Sequence, residues 1–302
     1  MQEILIKAGS FGGIIVLGYL LKRMGFFKQE DFPILSKIMM NITLPAAVIV
    51  NLSKNSLVTG MLIYCLCGLL CGLVLMTAGI AAGHGKPKEE KAFRVLNMTG
   101  YNIGSFTMPF VQGFLGPTGV IVTSLFDTGN SVICLGGTYT LAAMIKGERQ
   151  KRPLRRSLCL LLRSVPFVTY LIMTVLCLNH LQLPAPVLSF AEIIAGGNAF
   201  MAMLMIGVGM DVSGCAGHIR KIVGMLGIRY ALGVILAAVF LLMPFPVEHK
   251  KTLVILALSP ITSAAPAFTG KLGGDVGAAG VLNSLSILIS IVLVTLVLLL
   301  WF

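Results

Sequence analysis

Charged residues are scarce in this sequence. Only 11% of its 302 residues are charged and only 11 are acidic, whereas a typical soluble domain carries about 25% charged residues. Hydrophobic residues make up 57% of the chain. Uncharged stretches such as residues 284–302 are long enough to cross a bilayer. The composition therefore excludes an ordinary soluble domain and indicates a polytopic membrane protein.

Groups that carry out catalysis or bind metals are also few. The four histidines fall in predicted loops or at the ends of predicted spans, without metal-ligand clustering. The seven cysteines lie in or beside apolar segments without metal or redox spacing, and we interpret them as small packing residues. No nucleophile–base arrangement is apparent. We therefore expect a protein that is not an enzyme and that needs no cofactor.

Hydropathy and helix-breaking residues divide the chain into ten predicted membrane spans. Each is close to the roughly 20 apolar residues that a helix needs to cross the membrane. The spans, numbered 1 to 10, are 4–22, 33–52, 57–82, 95–115, 118–145, 160–179, 186–210, 220–243, 250–270 and 276–301. The fold class predicted is an all-α polytopic membrane protein.

Lysine and arginine are distributed unequally between the loops. The loops after the odd-numbered spans, with their flanks, hold 19 of the 23 basic residues. Because basic loops remain in the cytoplasm, we expect both termini outside. The same bias explains the net charge of +12, so we do not expect nucleic acid as a partner. The densest basic segment, 146–163, is interpreted as a topology anchor and linker; the alternative is a patch that binds lipid or a partner.

A weak internal repeat relates the two groups of five spans. The segment PFVQGFLG (109–116) aligns with PAFTGKLG (266–273) at an offset of 157, which also aligns Asn41 with Asn198. Since five is odd, the second group must enter the membrane inverted relative to the first. Inverted repeats recur in secondary transporters. We predict a first repeat over 1–145, a basic linker over 146–159 and a second repeat over 160–302.

The repeat puts one proline in the fourth span of each half. Pro109 in span 4 and Pro266 in span 9 are expected to break their helices, and the broken helices would cross in antiparallel orientation. Each break exposes N–H groups at a positive dipole end. The alternative is a pair of packing kinks. Small polar residues surround both prolines: Asn102, Ser105 and Thr107; Thr262 and Ser263.

A few other polar residues lie inside the predicted spans. Asp127 is near the middle of span 5, where a carboxylate is costly and indicates either a functional site or a structural hydrogen bond. Asn130 shares its helical face. Asn41 and Asn198 are equally compatible with a site or with helix–helix hydrogen bonding. For Asn283 in span 10, and its neighbouring serines, interhelical hydrogen bonding is the favoured interpretation.

Four short motifs in order resemble the auxin efflux carrier family, which includes the plant exporters and their bacterial relatives. They are NITLPAAVIVNL in span 2, NIGSFTMPF in span 4, FDTGNS in span 5 and SPITSAAPAF…KLGGD in span 9. The resemblance implies a fold similar to sodium/proton antiporters, with helices 4 and 9 broken and crossed. Spans 1, 2, 6 and 7 would form a scaffold, as a homodimer. Spans 3–5 and 8–10 would carry an organic anion in an elevator-type motion.

The resemblance can be carried over residue by residue. It matches Asn102, Pro109 and Pro266 to the place where the family's broken helices cross. Asn41 and Pro45 match the span 2 motif, and Asp127 and Asn130 match the span 5 motif. Leu272 departs from the aromatic residue of many relatives, and the long hydrophilic loop of many plant exporters is absent. The first departure weakens any inference about substrate, and the second indicates a minimal carrier.

Together these features predict a secondary carrier for a small organic anion, malate-, malonate- or auxin-like, in a bacterial inner membrane. Asp127 and Asn130 are the candidates for coupling to a proton or sodium ion. The alternatives are a sodium-coupled symporter of the bile-acid type and a ligand sensor that keeps the carrier fold. The candidate substrate-binding residues are Asn102, Ser105, Thr107, Pro109, Thr262, Ser263, Pro266, Asn41 and Asn198.

Overall fold

The computed structural model describes residues 2–53, 57–148, 153–211 and 219–301, and this part of the chain is helical without strands. Seven of its helices are long and apolar enough to cross a membrane, and a bent pair makes an eighth. The protein is thus an all-α polytopic membrane protein. The count of ten spans remains a prediction, because spans 4 and 9 are each divided into two shorter helices.

The described residues form thirteen helices. The first half contains α1 (Gln2–Arg23), α2 (Phe32–Ser53), α3 (Thr59–Ala82), α4 (Lys88–Met98), α5 (Met108–Phe114) and α6 (Gly116–Lys146). The second half contains α7 (Pro153–Leu162), α8 (Val165–Leu178), α9 (Ala185–Gly209), α10 (Ile219–Leu242), α11 (Val247–Ala257), α12 (Ala264–Lys271) and α13 (Val276–Trp301). Two of the thirteen, α5 and α12, continue spans 4 and 9 after a break in the helix.

Spans 4 and 9 are broken, and their breaks cross each other. In span 4, the helix is interrupted between α4 and a π-helical turn (Ile103–Thr107) that continues into α5. In span 9, it is interrupted between α11 and α12. The two extended segments meet in an antiparallel bridge between Tyr101 and Ile261. The Asn102 N–H also donates to the Pro260 carbonyl at 2.9 Å. We call the two breaks together, residues 99–102 and 258–263, the crossover.

The local sequence explains where each break lies. Gly100 has φ +81°, a conformation that glycine adopts without steric cost. Pro260 has no N–H and disfavours helical geometry at the preceding residue. The crossover is therefore formed by Gly100 in span 4 and Pro260 in span 9.

The expectation that Pro109 and Pro266 are themselves the breaks is wrong. Pro266 is the third residue of α12, in the first turn, where a missing N–H costs no helical bond. Pro109 is the second residue of α5, directly after the π-helical turn. The wider π turn makes room for a ring that would otherwise clash with the carbonyl four residues back. Both prolines lie in the half-helices that follow the breaks.

The basic linker is partly helical. Residues 149–152 lie outside the described residues, but α7 begins at Pro153 and is bent by 78° from α8. Ser157 Oγ donates to the Gly136 carbonyl in α6 at 2.7 Å. The helical part of the linker therefore packs against span 5. The repeat boundaries themselves stay a prediction.

Two helix pairs pack at backbone distance because a glycine lies at each contact. A Cβ on Gly207 of α9 would lie 2.1 Å from the Ile15 carbonyl oxygen of α1. A Cβ on Gly129 of α6 would lie 1.9 Å from the Cys65 carbonyl oxygen of α3. Each glycine therefore permits a close approach that no larger residue allows.

Candidate functional site

An asparagine of span 5 holds the break in span 4. Asn130 Oδ1 accepts a hydrogen bond from the Tyr101 N–H at 3.1 Å, and Asn130 Nδ2 donates to the Tyr101 carbonyl at 3.2 Å. The side-chain amide thus replaces both backbone partners that Tyr101 loses outside the helix. This fixes the extended segment in place.

Span 10 does the same for the break in span 9. Ser286 Oγ accepts from the Ile261 N–H at 3.1 Å, and Asn283 Nδ2 donates to the Ile261 carbonyl at 2.9 Å. The interhelical role expected of Asn283 and Ser286 therefore agrees with the geometry. In each half, the fifth span supplies the partners for the broken fourth span.

Asp127 is buried beside this arrangement. Its side chain accepts two hydrogen bonds, from Asn130 Nδ2 to Oδ1 at 2.9 Å and from the Tyr170 hydroxyl to Oδ2 at 3.1 Å. Within the described residues no lysine, arginine or histidine forms an ion pair with it. Because both partners are neutral, the carboxyl group can take up or release a proton without breaking an ion pair.

Arg229 of α10 is the most highly connected side chain at the crossover. It is 2% exposed, and its guanidinium donates to four backbone carbonyls. Nη1 lies 2.6 Å from the Met98 oxygen, and Nη2 lies 2.8 Å from the oxygen of Gly100. Nη2 is also 3.2 Å and 3.0 Å from the oxygens of Ser259 and Pro260. One side chain therefore joins both breaks.

The sequence-based prediction missed Arg229, because it was counted among the basic residues that flank a cytoplasmic loop. The sequence feature that could have identified Arg229 is its distance from the end of the span. Arg229 is ten residues beyond Ile219, where α10 begins, which at 1.5 Å per residue is about 15 Å into the helix. A lone arginine at that depth is by default a candidate functional residue.

Three of the predicted polar residues, Ser105, Thr107 and Thr262, are buried at or next to the crossover. The hydroxyls of Thr107 and Ser259 lie 2.6 Å apart and connect the two broken spans. Ser105 Oγ donates to Asn102 Oδ1, and Thr262 Oγ1 accepts from the Ala264 N–H at 3.3 Å. All three side chains therefore have hydrogen-bond partners within the protein, and Thr107 connects the two broken spans.

A small open cleft lies between the crossover and α9. Its cavity volume is about 30 Å³, well below the roughly 300–1,000 Å³ of most small-molecule sites. Asn102 and Ser263 are the predicted substrate residues that line it. The full lining is Phe32, Asn102, Met205, Ile206, Gly209, Met210, Ser263, Asn283, Ser284 and Ile287.

Asn41 and Asn198 do not line the cleft, and their surroundings differ. Asn198 is fully buried, where its Oδ1 accepts from Thr43 Oγ1 at 3.1 Å and its Nδ2 lies 3.4 Å from Gln112 Oε1. Asn41 is exposed. Asn198 therefore connects helices, and the sequence equivalence of the two asparagines has no counterpart in their contacts.

Residues 13–157 match a protein family described as membrane transport protein. The match covers just under half of the chain and includes the motifs of spans 2, 4 and 5, with Asn102, Asp127 and Asn130. No match was found among curated proteins. The family match, on a chain of apolar helices, supports a relationship to the auxin efflux carrier family and to membrane transporters.

Proposed function

We propose that the protein is a secondary transporter that carries a small organic anion across the cytoplasmic membrane. The observation that carries this proposal is an open cleft beside two crossed, broken helices, in a chain whose first half matches a membrane transport family. Broken helices provide binding groups at mid-membrane without a charged side chain in the site.

The charge distribution at the crossover favours an anion. The carbonyl ends of α4 and α11, which carry a partial negative charge, are already bound by Arg229. The N–H ends that begin the π turn and α12 carry the partial positive charge, and Asn102 and Ser263 lie beside them in the cleft. Each dipole end contributes only about 0.3–2 kcal/mol. Side-chain hydrogen bonds from Asn102 and Ser263 therefore add to the affinity.

The hydrogen bonds around the crossover support an elevator-type motion. The side chains that hold the two breaks come from Asn130 in span 5, Arg229 in span 8 and Asn283 in span 10. All three spans belong to the group that we propose to move. The crossover and its ligand would then move as one body against spans 1, 2, 6 and 7.

Asp127 is proposed to couple transport to a proton. Its bond to Tyr170 joins span 5, in the moving group, to span 6, in the scaffold. Protonation of Asp127 removes the charge that this bond stabilises, so the bond weakens and the two groups separate more easily. Asn130 connects the same carboxylate to the crossover.

The proposed setting is the inner membrane of a bacterium, with both termini outside and two copies forming a dimer. The charge distribution between the loops supports the orientation. Contacts between span ends are compatible with it: Lys221, at the start of α10, bonds to Glu90 at the start of α4. The sequence predicts both ends on the cytoplasmic side.

Ligand-dependent thermal stability tests the binding site. Purified protein is screened against dicarboxylates and indole acids with sodium and pH varied, and a ligand is expected to raise the melting temperature. Asn102→Ala and Ser263→Ala should reduce that shift. Asn179→Ala, which changes an exposed asparagine at the end of α8, serves as the matched control. Binding lost equally in all three variants would contradict the site.

A further inference from the structure

The carbonyl groups around Arg229 have the composition of a cation site. Four backbone oxygens, two from each broken span, converge on one guanidinium. Backbone carbonyls are the groups with which proteins replace the hydration shell of an alkali cation. In transporters with broken helices, unwound carbonyls and half-helix C-terminal ends coordinate the coupling sodium ion. In this chain a covalently attached cation occupies that position.

We propose that Arg229 is the resident cation of the crossover, and that it takes the place of a coupling sodium ion in these carbonyls. Transport would therefore be independent of sodium. The expected independence of transport from sodium rests on the proposed transport function. The occupancy of the carbonyl site by Arg229 can be tested without any substrate.

The geometry fits a guanidinium whose two terminal nitrogens bind the carbonyls, while its buried Nε has no hydrogen-bond partner among the described residues. Nη2 has two protons and faces three carbonyl oxygens within 3.2 Å, so at least one proton is shared between two acceptors. The ring of Tyr101 covers the guanidinium, with its centroid 5.1 Å from Cζ, at a distance typical of a cation–π contact. The carbonyls of both breaks and the Tyr101 ring thus all contact the same guanidinium.

The charges also balance without a sodium ion. Each half-helix C-terminus carries roughly −0.5 of an elementary charge, so α4 and α11 together supply about one negative charge. The guanidinium supplies one positive charge. Among the described residues no carboxylate forms an ion pair with Arg229. A second cation at these carbonyls would therefore be repelled by the guanidinium.

Wild-type protein provides the first test. Its melting temperature is measured without substrate in sodium, potassium and choline chloride at equal ionic strength. We expect the same value in all three salts. A stabilisation specific to sodium, saturating at millimolar concentration, would overturn the proposal.

Arg229→Ala provides the second test, with Arg220→Ala as the matched control. Arg220 is an exposed arginine at the start of the same helix. Removing one partner of a buried charge interaction is expected to lower the melting temperature by about 10 °C. Methylguanidinium or sodium at millimolar concentration should restore part of this loss. Arg220→Ala should match wild type and respond to neither ion.

If Arg229→Ala cannot be purified, Arg229→Lys decides the matter. A lysine keeps the positive charge but lacks the planar fork, so it cannot reach both breaks at once. We expect a folded protein with a lowered melting temperature that sodium does not raise. Arg229→Ala or Arg229→Lys with wild-type stability would overturn the proposal, as would a sodium-stabilised Arg229→Lys.

These results are separable from a failure of the transport function. Absence of flux in a protein whose Arg229→Ala variant is restored by methylguanidinium would contradict transport and leave the resident cation intact. Sodium-dependent flux in wild-type protein would contradict the resident cation and leave transport intact.

Discussion

The Tyr170 hydroxyl donates to Asp127 Oδ2 at 3.1 Å, so a buried hydrogen bond joins span 6 to span 5. The same carboxylate accepts from Asn130, which holds the backbone of the crossover. A single ionisable group therefore contacts both the boundary between the two helix groups and the crossover. This relationship supports our proposal that Asp127 couples transport to a proton.

Replacing Asp127 with asparagine should preserve folding and abolish proton coupling. The amide has the same shape and still pairs with Tyr170 and Asn130, but it cannot bind a proton at Oδ2. Uptake into proteoliposomes should therefore no longer increase with an imposed pH gradient. The control is Glu30→Gln, which changes an exposed acidic residue. Wild-type response to the gradient in Asp127→Asn would exclude the coupling role.

Replacing Asn130 with alanine should destabilise the crossover. The buried N–H and carbonyl of Tyr101 lose both partners, at a cost of about 2–4 kcal/mol. Asn283→Ala should act in the same direction, because it removes the donor to Ile261. Thermal unfolding in detergent measures both effects. Unchanged stability in both variants would mean that the amides do not hold the breaks.

Replacing Gly129 with alanine should force α3 and α6 apart. The added Cβ would lie 1.9 Å from the Cys65 carbonyl oxygen, and such overpacking costs about 1–3 kcal/mol. Gly280→Ala is the matched control, since nothing lies within 4 Å of its Cβ position in α13. That change should stabilise the helix by about 0.5–1 kcal/mol. Equal melting temperatures for the two variants would contradict the close packing.

Replacing Pro109 or Pro266 with alanine should have a small effect on stability. Neither proline lies in the breaks, and the bridge between Tyr101 and Ile261 remains with its hydrogen bonds. Thermal unfolding and ligand binding of the proline variants are measured and compared with those of Asn130→Ala. A loss of stability as large as that of Asn130→Ala would show that the prolines themselves maintain the breaks.

Much of the architecture could be predicted from local patterns. Hydropathy identified the helices, and the prolines indicated that spans 4 and 9 are the irregular ones. The three-residue spacing of Asp127 and Asn130 predicted a shared face, which the 2.9 Å hydrogen bond between them confirms. Helical periodicity and the cost of a mid-membrane charge were sufficient for these features.

The remaining features depend on contacts between distant segments. The break in span 4 lies at Gly100 rather than Pro109, because the partners of the extended backbone come from spans 5, 8 and 9. Arg229 could not be distinguished from a loop charge until its carbonyl partners were known. Asn198 pairs with Thr43, a contact that repeat alignment does not reveal.

Flux tests the central claim most directly. Uptake of a carboxylate identified by thermal shift is measured in proteoliposomes that contain wild-type protein, Asn102→Ala or Asn179→Ala. Wild type and Asn179→Ala are expected to show saturable uptake, and Asn102→Ala should show little because its side chain lines the cleft at the crossover. Ligand binding without uptake by the wild-type protein would contradict the account and indicate a sensor with the carrier fold.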